Sequence, residues 1–150
     1  MTEYPWFPMF VDLSHRVALV VGGGRVAARR AQTLSRFCGN ITVVAPEIRP
    51  EMEALARCHR RPFDPADLEG ADLVIAATDD PALNAHIAAL CRQKNIPVNA
   101  ASDPALCDFY FPGVAVRDNA VIGVTASGKD HKRAAELTRR VREILEEDML

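Results

Sequence analysis

Three consecutive glycines followed by arginines are the first residues of this chain whose types and spacing could do chemistry. They lie in "VVGGGRVAARR", residues 20–30. The pattern GxGxxG/A runs through Gly22, Gly23, Gly24, Arg25, Val26 and Ala27. An apolar run precedes the glycines and a helical pattern follows them, which is the setting in which such a loop cradles a phosphate. Because backbone N–H groups and the positive end of the helix dipole would hold an anion, the stretch predicts a pyrophosphate cradle for a dinucleotide.

Positive charge at the start of the same helix favours a bound anion. Arg25, Arg29 and Arg30 crowd the first turns, where a cation is disfavoured by about 0.3–1 kcal/mol. A phosphate bound there would offset this cost. Glu47 follows the next predicted strand and is placed to bind a ribose 2′-hydroxyl, which favours NAD over NADP. Arg25 or Arg49 would favour NADP instead.

Further candidate cofactor contacts follow the ends of three predicted strands. Pro46 follows the second strand, Thr78 and Asp79 follow the fourth, and Asn99 closes the fifth. Ligands of open α/β sheets bind at the carboxyl edge, so we expect these residues to contact the cofactor, with Asn99 at its nicotinamide half. Asp79 and Asp80 have a second interpretation, as caps of the helix that follows them.

Short apolar runs and helical patterns alternate over the first two thirds of the chain. The predicted strands are residues 17–21, 41–45, 59–63, 73–77 and 96–100. The predicted helices are residues 25–38, 51–57 and 78–95. This alternation predicts a Rossmann-like parallel sheet with helices on both faces, formed by a nucleotide-binding domain of residues 1–107.

The pattern changes over residues 108–150. The stretch "VAVRDNAVIGVT" has two β-rich runs around Asp118 and Asn119, which predicts a hairpin. A charged helix begins near Asp130 and has one apolar stripe. Since a hairpin and a single helix bury little apolar surface alone, we expect this tail to pack on the first domain, on a second copy of the chain, or on both.

Composition narrows the classes of function. The chain has 150 residues, 49% of them hydrophobic, and a formal net charge of −2, so nothing points to nucleic acid or an anionic membrane as partner. No apolar stretch is long enough to span a bilayer, and the N-terminus lacks a secretion signal, so we expect a cytoplasmic protein. The four cysteines are far apart with no CxxC pair, which predicts reduced thiols and no metal site.

Several stretches together resemble the siroheme-synthase N-terminal family. They are "YPWFPMFVDLSHRVALVVGGGRVAARR", "ITVVAPE", "ADLVIAATDDPALN", "IPVNAASDPALCDFYFPG" and "VIGVTASGK". They occur in the family's order from about Tyr4 to the last helix. The resemblance implies NAD-dependent dehydrogenation of precorrin-2 to sirohydrochlorin, followed in chelating members by insertion of ferrous iron. It also implies a Rossmann domain and a region that pairs two subunits into a homodimer.

This sequence departs from the family pattern at three places. The family often has an aspartate, used as the acid/base residue, where this chain has Ser102. The family's "STGGKSP"-like stretch is "TASGKDH" here, and the sequence stops at Leu150, where the family pattern continues into a helical segment. Asp103 is the first candidate for the base, and His131, whose ordinary pKa lies near neutrality, is the second. Both have an equal second interpretation as caps, since Asp103 precedes Pro104 in a turn and His131 lies at a helix start.

The substrate implied by the resemblance is a ring bearing many carboxylates, which requires cations in its site. The tail contains a local cluster of candidate substrate ligands. They are Arg117, Ser127, Lys129, Lys132 and Arg133. Because four of them flank a helix start, its dipole would add to an anion site, although a solvated helix start explains the same charges.

Two other functions fit the same residues. The serine at position 102 favours a non-catalytic NAD-binding module that senses redox state or hands a tetrapyrrole to a partner. An unrelated NAD-dependent dehydrogenase is the third interpretation, because this fold hosts many chemistries.

Overall fold

The computed structural model describes residues 4–147 and divides them into two compact units. The first unit is residues 11–109, and the second combines residues 4–10 with residues 110–147. Within the second unit the ring of Trp6 stacks on that of Tyr110, with centroids 3.7 Å apart. The sequence-based division places residues 4–10 with the nucleotide-binding domain, whereas the structure groups them with residues 110–147.

The first unit is built on a five-stranded parallel sheet. Its strands are β1 (Val17–Val21), β2 (Asn40–Ala45), β3 (Arg57–Arg60), β4 (Leu73–Ala76) and β5 (Val98–Ala100). Helix α1 (Arg25–Leu34) connects β1 to β2, and helix α2 (Pro81–Gln93) connects β4 to β5. The strand order is β3-β2-β1-β4-β5, so the chain leaves the middle of the sheet in both directions.

The strand order explains why both faces of the sheet are covered. The connection through α1 moves toward one edge of the sheet and the connection through α2 moves toward the other. Since such crossovers are right-handed, the two helices lie on opposite faces. The predicted Rossmann-like sheet with helices on both faces is confirmed.

The apolar residues of these elements form one core. Strands β1, β2 and β4 are buried along nearly their whole length. Helix α1 contributes Ala27, Ala31 and Leu34 at helical spacing. The predicted helix over residues 51–57 is wrong: Pro50–Met52 form one 3-10 turn, and Arg57 already begins β3. Only Met52 is buried in that turn, so no apolar face stabilises a longer helix.

The second unit contains the predicted hairpin and helix. Strands β6 (Gly113–Arg117) and β7 (Ala120–Val124) pair antiparallel, and helix α3 spans His131–Glu147. Asp118 takes the positive φ of 51° that the tight turn requires. A Cβ added at Gly113 would lie 2.1 Å from Thr138 Oγ1, so β6 and α3 pack in close contact.

All four cysteines are free thiols, as the sequence predicts. Cys91 is fully buried on α2, and burial raises the pKa of its thiol to about 11, with a smaller contribution from Asp108. Among residues 4–147, no group of three or more His, Cys, Asp or Glu could hold a metal ion. None of the described helices has both the length and the apolar character needed to cross a bilayer.

Candidate functional site: the crevice at the carboxyl edge of the sheet

The first two glycines of the loop after β1 are required by close packing. Gly22 has a φ of +131°, and a Cβ there would lie 2.3 Å from the backbone oxygen of Ala77. A Cβ on Gly23 would lie 1.9 Å from the backbone oxygen of Glu47. The amide of Gly22 donates to Val44 O at 3.0 Å. The loop is therefore held tightly between the segments that follow β2 and β4.

Gly24 differs from its neighbours because a Cβ there would meet no atom within 4 Å. It is the N-cap of α1, with no hydrogen bond from a capping side chain and no acidic residue in the first turn. The first intrahelical bond runs from Ala28 N to Gly24 O at 2.9 Å. The three preceding amides have no intrahelical acceptor, so the start of α1 is the type of helix end that binds anions.

The arginines of this helix separate into two groups. Arg25 and Arg29 line an open cleft of about 290 Å³ beside Arg49. Arg49 is already paired there, since its Nε donates to Glu51 Oε1 at 2.8 Å. Arg30 turns the other way: its half-buried guanidinium donates to Asn99 Oδ1, and burial lowers its pKa. Two of the three clustered arginines thus face solvent near the glycine loop.

Most of the other predicted cofactor residues lie at the same edge of the sheet. Pro46 and Glu47 are exposed after β2, and Val26 is exposed in the first turn of α1. After β4, Thr78 is half-buried and Asp79 is exposed. The parallel register of β1 with both β2 and β4 brings these segments together at the glycine loop.

Asn99 is the predicted cofactor residue with the least freedom. Its side chain is 3% exposed. Its Oδ1 accepts from Arg30, and its Nδ2 donates to Phe109 O at 2.9 Å. Each end of the amide can form one more hydrogen bond, but the side chain must first become exposed to contact a nicotinamide directly.

Two of the candidate catalytic residues follow β5. Ser102 is exposed, and its hydroxyl oxygen accepts from Asn84 Nδ2 at 3.2 Å. Asp103 is also exposed and is the N-cap of a 3-10 turn, with Oδ1 accepting from Ala105 N at 2.9 Å. One oxygen of this carboxylate is therefore engaged in local structure.

Asn84 is a buried polar residue that sequence reasoning missed. It lies on α2, has no exposed surface, and its Oδ1 accepts from Thr78 N at 3.1 Å and from Thr78 Oγ1 at 2.7 Å. The cap of this helix is Asp80, whose Oδ1 accepts from Ala82 N. The sequence does contain a signal for Asn84: it lies one helical turn before Ile87, on the apolar face of the helix. A polar side chain on such a face needs hydrogen-bond partners.

The predicted substrate ligands all belong to the second unit, together with His131. Arg117 is half-buried and donates to the backbone oxygen of Leu145 near the end of α3. Ser127 takes a positive φ of 55° in the turn before α3. Three exposed cations surround the start of the helix: Lys129, Lys132 and Arg133. Asp130 Oδ1 accepts from Arg133 N at 2.9 Å, so the helix start is already capped by one carboxylate.

Comparison with known proteins places the chain in a family. Residues 9–113 match a family model described as "Putative NAD(P)-binding". The chain is 43% identical to the siroheme synthase of Psychrobacter sp. (strain PRwf-1) over 128 residues, which cover 82% of this chain and 26% of that protein. It is 40% identical to the siroheme synthase of Pseudomonas entomophila (strain L48) over 146 residues, which cover 94% of this chain and 31% of that protein. The chain thus spans between a quarter and a third of the length of these curated relatives.

A solved structure named "SirC, precorrin-2 dehydrogenase" has the same fold. It matches with a TM-score of 0.76 at 23% identity, covering 92% of this chain and 70% of that chain. The match to the family model means that the first unit carries an NAD(P)-binding domain, so the expected nicotinamide cofactor is confirmed. The resemblance found in the sequence is confirmed as well: the chain belongs to the siroheme-synthase N-terminal family.

Proposed function

We propose that this protein catalyses the NAD-dependent dehydrogenation of precorrin-2 to sirohydrochlorin. The observation that carries the proposal is the position of Ser102 and Asp103, which are exposed after β5 at the same sheet edge as the glycine loop. Relatives that are 40–43% identical and are named siroheme synthases support this choice of reaction over others hosted by the fold.

The cofactor that we propose is NAD rather than NADP. The amides at the start of α1 would hold its pyrophosphate, and exposed Glu47 would accept a hydrogen bond from a ribose hydroxyl. Glu47 would repel the phosphate of NADP, and Arg49, which could bind that phosphate, is paired with Glu51. When bound, this cofactor accepts a hydride. The wild type should bind NAD⁺ with a lower dissociation constant than NADP⁺. In Glu47→Ala this preference should disappear or reverse.

The protein's own part in the reaction is to orient the substrate and accept a proton. The Asp103 oxygen that does not cap the 3-10 turn is the first candidate acceptor, since a base must lie within hydrogen-bond reach of the leaving proton. His131 is the second candidate. The substrate loses one hydride to the cofactor and one proton to the base, which together account for the two-electron oxidation of precorrin-2.

The substrate carboxylates are proposed to bind cations of the second unit. Lys129, Lys132 and Arg133 present charge around the start of α3. We also propose a homodimer formed through this unit, because its exposed apolar side chains include Phe7 at 84% and Phe10 at 75% exposure.

Anaerobic turnover tests the proposal directly. The purified protein with NAD⁺ should convert the absorption spectrum of precorrin-2 to that of sirohydrochlorin while NADH forms. The same reaction with Fe²⁺ tests ferrochelatase activity, in which iron is a substrate and produces a further spectral change. An unchanged precorrin-2 spectrum contradicts dehydrogenation.

A non-catalytic module that senses redox state or hands over a tetrapyrrole is the second candidate function. Two observations favour it: position 102 carries a serine, and one oxygen of Asp103 is engaged in a cap. Tight binding of NAD(H) and sirohydrochlorin without turnover would support this function. Turnover restored by Ser102→Asp would argue against a scaffold designed only for binding.

A further inference from the structure

Asn84 connects the segments that follow β4 and β5 from inside the protein. Its side chain is fully buried, and every polar group of its amide is engaged. Besides accepting twice from Thr78, the amide donates from Nδ2 to Thr78 O at 3.2 Å and to Ser102 Oγ at 3.2 Å. Two loops at the candidate site are thus joined through one side chain.

The orientation of this amide is fixed by its partners. The backbone N–H of Thr78 can only donate, so the group facing it at 3.1 Å must be the amide oxygen of Asn84. The carbonyl of Thr78 can only accept, so it must face Nδ2. Since no flipped arrangement satisfies both backbone groups, Asn84 presents an N–H to Ser102.

The bond from Asn84 determines what Ser102 can do. Its oxygen is occupied as an acceptor on the inner side, and its side chain is exposed on the outer side. In the described part of the chain, the hydroxyl proton of Ser102 is donated to no protein acceptor. The proton is therefore available to a ligand at the carboxyl edge.

We propose that Asn84 is a positioning residue that makes Ser102 a hydrogen-bond donor to a carboxylate of the bound tetrapyrrole. The inference rests on the proposed function for the identity of that ligand. In this arrangement Ser102 binds and orients the substrate, and the proton acceptor is another group. A charged acceptor suits this role because a hydrogen bond to a charged group is stronger than one to a neutral group.

The hydrogen bond that Asn84 donates to position 102 can be tested without any ligand. Ser102→Asp places a carboxyl where the Asn84 N–H donates, and a hydrogen bond to the charged form lowers a pKa. We expect carboxyl NMR titration to give a pKa for that group below the ordinary aspartate value of about 3.9. Adding Asn84→Ala should return it to or above that value. A pKa at or above the ordinary value in the single variant overturns the proposal, even if the double variant does not fold.

The proposed hydrogen bond from Ser102 to the tetrapyrrole is tested by measuring the binding of two ligands separately. Ser102→Ala should weaken sirohydrochlorin binding by about tenfold or more in calorimetric titration, and should leave NAD⁺ affinity within about twofold. Ser14→Ala is the matched control, an exposed serine hydroxyl that bonds only locally to Asp12, and should change neither affinity. Unchanged sirohydrochlorin affinity, or a loss confined to NAD⁺, overturns the proposal.

These outcomes separate the inference from the proposed function. Sirohydrochlorin binding that depends on Ser102 without any turnover contradicts dehydrogenation but supports the positioning of Ser102. Turnover of precorrin-2 with the same KM in wild type and Ser102→Ala supports dehydrogenation and overturns the positioning role.

Discussion

The two units differ in how completely they bury their apolar residues. In the first unit, β1, β2 and β4 are buried in a core that a helix covers on each face of the sheet. Among the described residues of the second unit, the only buried apolar side chains are Val114 and Ala115. Large apolar side chains of the same unit are exposed, including Phe7 at 84% and Ile144 at 57%.

This difference shows what stabilises each unit. The first unit closes its own core, and the glycine loop is held by backbone contacts of that core. The second unit has a two-stranded sheet and one helix, which is too little to bury its apolar surface alone. A second copy of the chain is the partner that we propose for that surface.

The largest expected effect comes from adding one methyl group to the loop of the first unit. Gly23→Ala would drive its Cβ into the Glu47 backbone, 1.9 Å away, which cannot move without shifting the end of β2. We expect a loss of NAD⁺ affinity of more than about 100-fold with a lower Tm. Calorimetric titration and thermal unfolding measure the two effects.

Gly113→Ala is the matched change in the second unit. Its Cβ would lie 2.1 Å from Thr138 Oγ1 and 3.0 Å from Thr138 Cβ, so α3 would have to shift from β6 within the second unit. We expect a smaller loss of stability and unchanged NAD⁺ affinity. If Gly23→Ala bound NAD⁺ with the affinity of the wild type, the tight packing of the loop would not be required for cofactor binding.

Truncation of one side chain in each unit tests the contrast in burial. Ile87 is fully buried on α2, so Ile87→Ala should lower the free energy of unfolding by about 2–5 kcal/mol. Leu137 is half-buried on α3, so Leu137→Ala should cost about 1 kcal/mol in dilute protein. Urea unfolding at two protein concentrations measures both. Equal costs in the two units would contradict the contrast.

The exposed phenylalanines test whether a second copy covers the second unit. Phe7→Ser with Phe10→Ser should raise the dimer dissociation constant about tenfold or more, because apolar burial drives association. Analytical ultracentrifugation measures this constant. The affinity for NAD⁺ should not change. A protein that is monomeric throughout, or a dimer untouched by both changes, excludes this surface as the interface.

A pH dependence is expected for the core of the first unit alone. Burial raises the pKa of Cys91 from 9.0 to about 11, so the folded state keeps a proton that the unfolded state loses between these values. The unfolding free energy should therefore fall as pH rises through this window, by at most about 3 kcal/mol. The stability difference between wild type and Cys91→Ala should narrow from pH 8 to pH 11. A constant difference would contradict the buried, neutral thiol.

The sequence predicts the elements that carry strong periodicity and misses those that depend on tertiary contacts. Strand β1 and the hairpin follow directly from apolar runs and turn residues. The interior bond of Arg30 to Asn99 joins residues far apart in sequence, so no local pattern reveals it. The same is true of Asn84, whose four hydrogen bonds exist only once β4, β5 and α2 have packed together.

Calorimetric titration of NAD⁺ into wild type, Gly24→Ala and Gly39→Ala tests the central claim most directly. Neither glycine has an atom within 4 Å of an added Cβ, and Gly24 has an extended backbone that alanine adopts, with φ of −88°. If the open space at Gly24 holds the pyrophosphate, Gly24→Ala should bind NAD⁺ at least about tenfold more weakly at unchanged Tm. Gly39→Ala, outside the loop, should bind like the wild type. Equal affinities in all three proteins would contradict the glycine loop as the cofactor site.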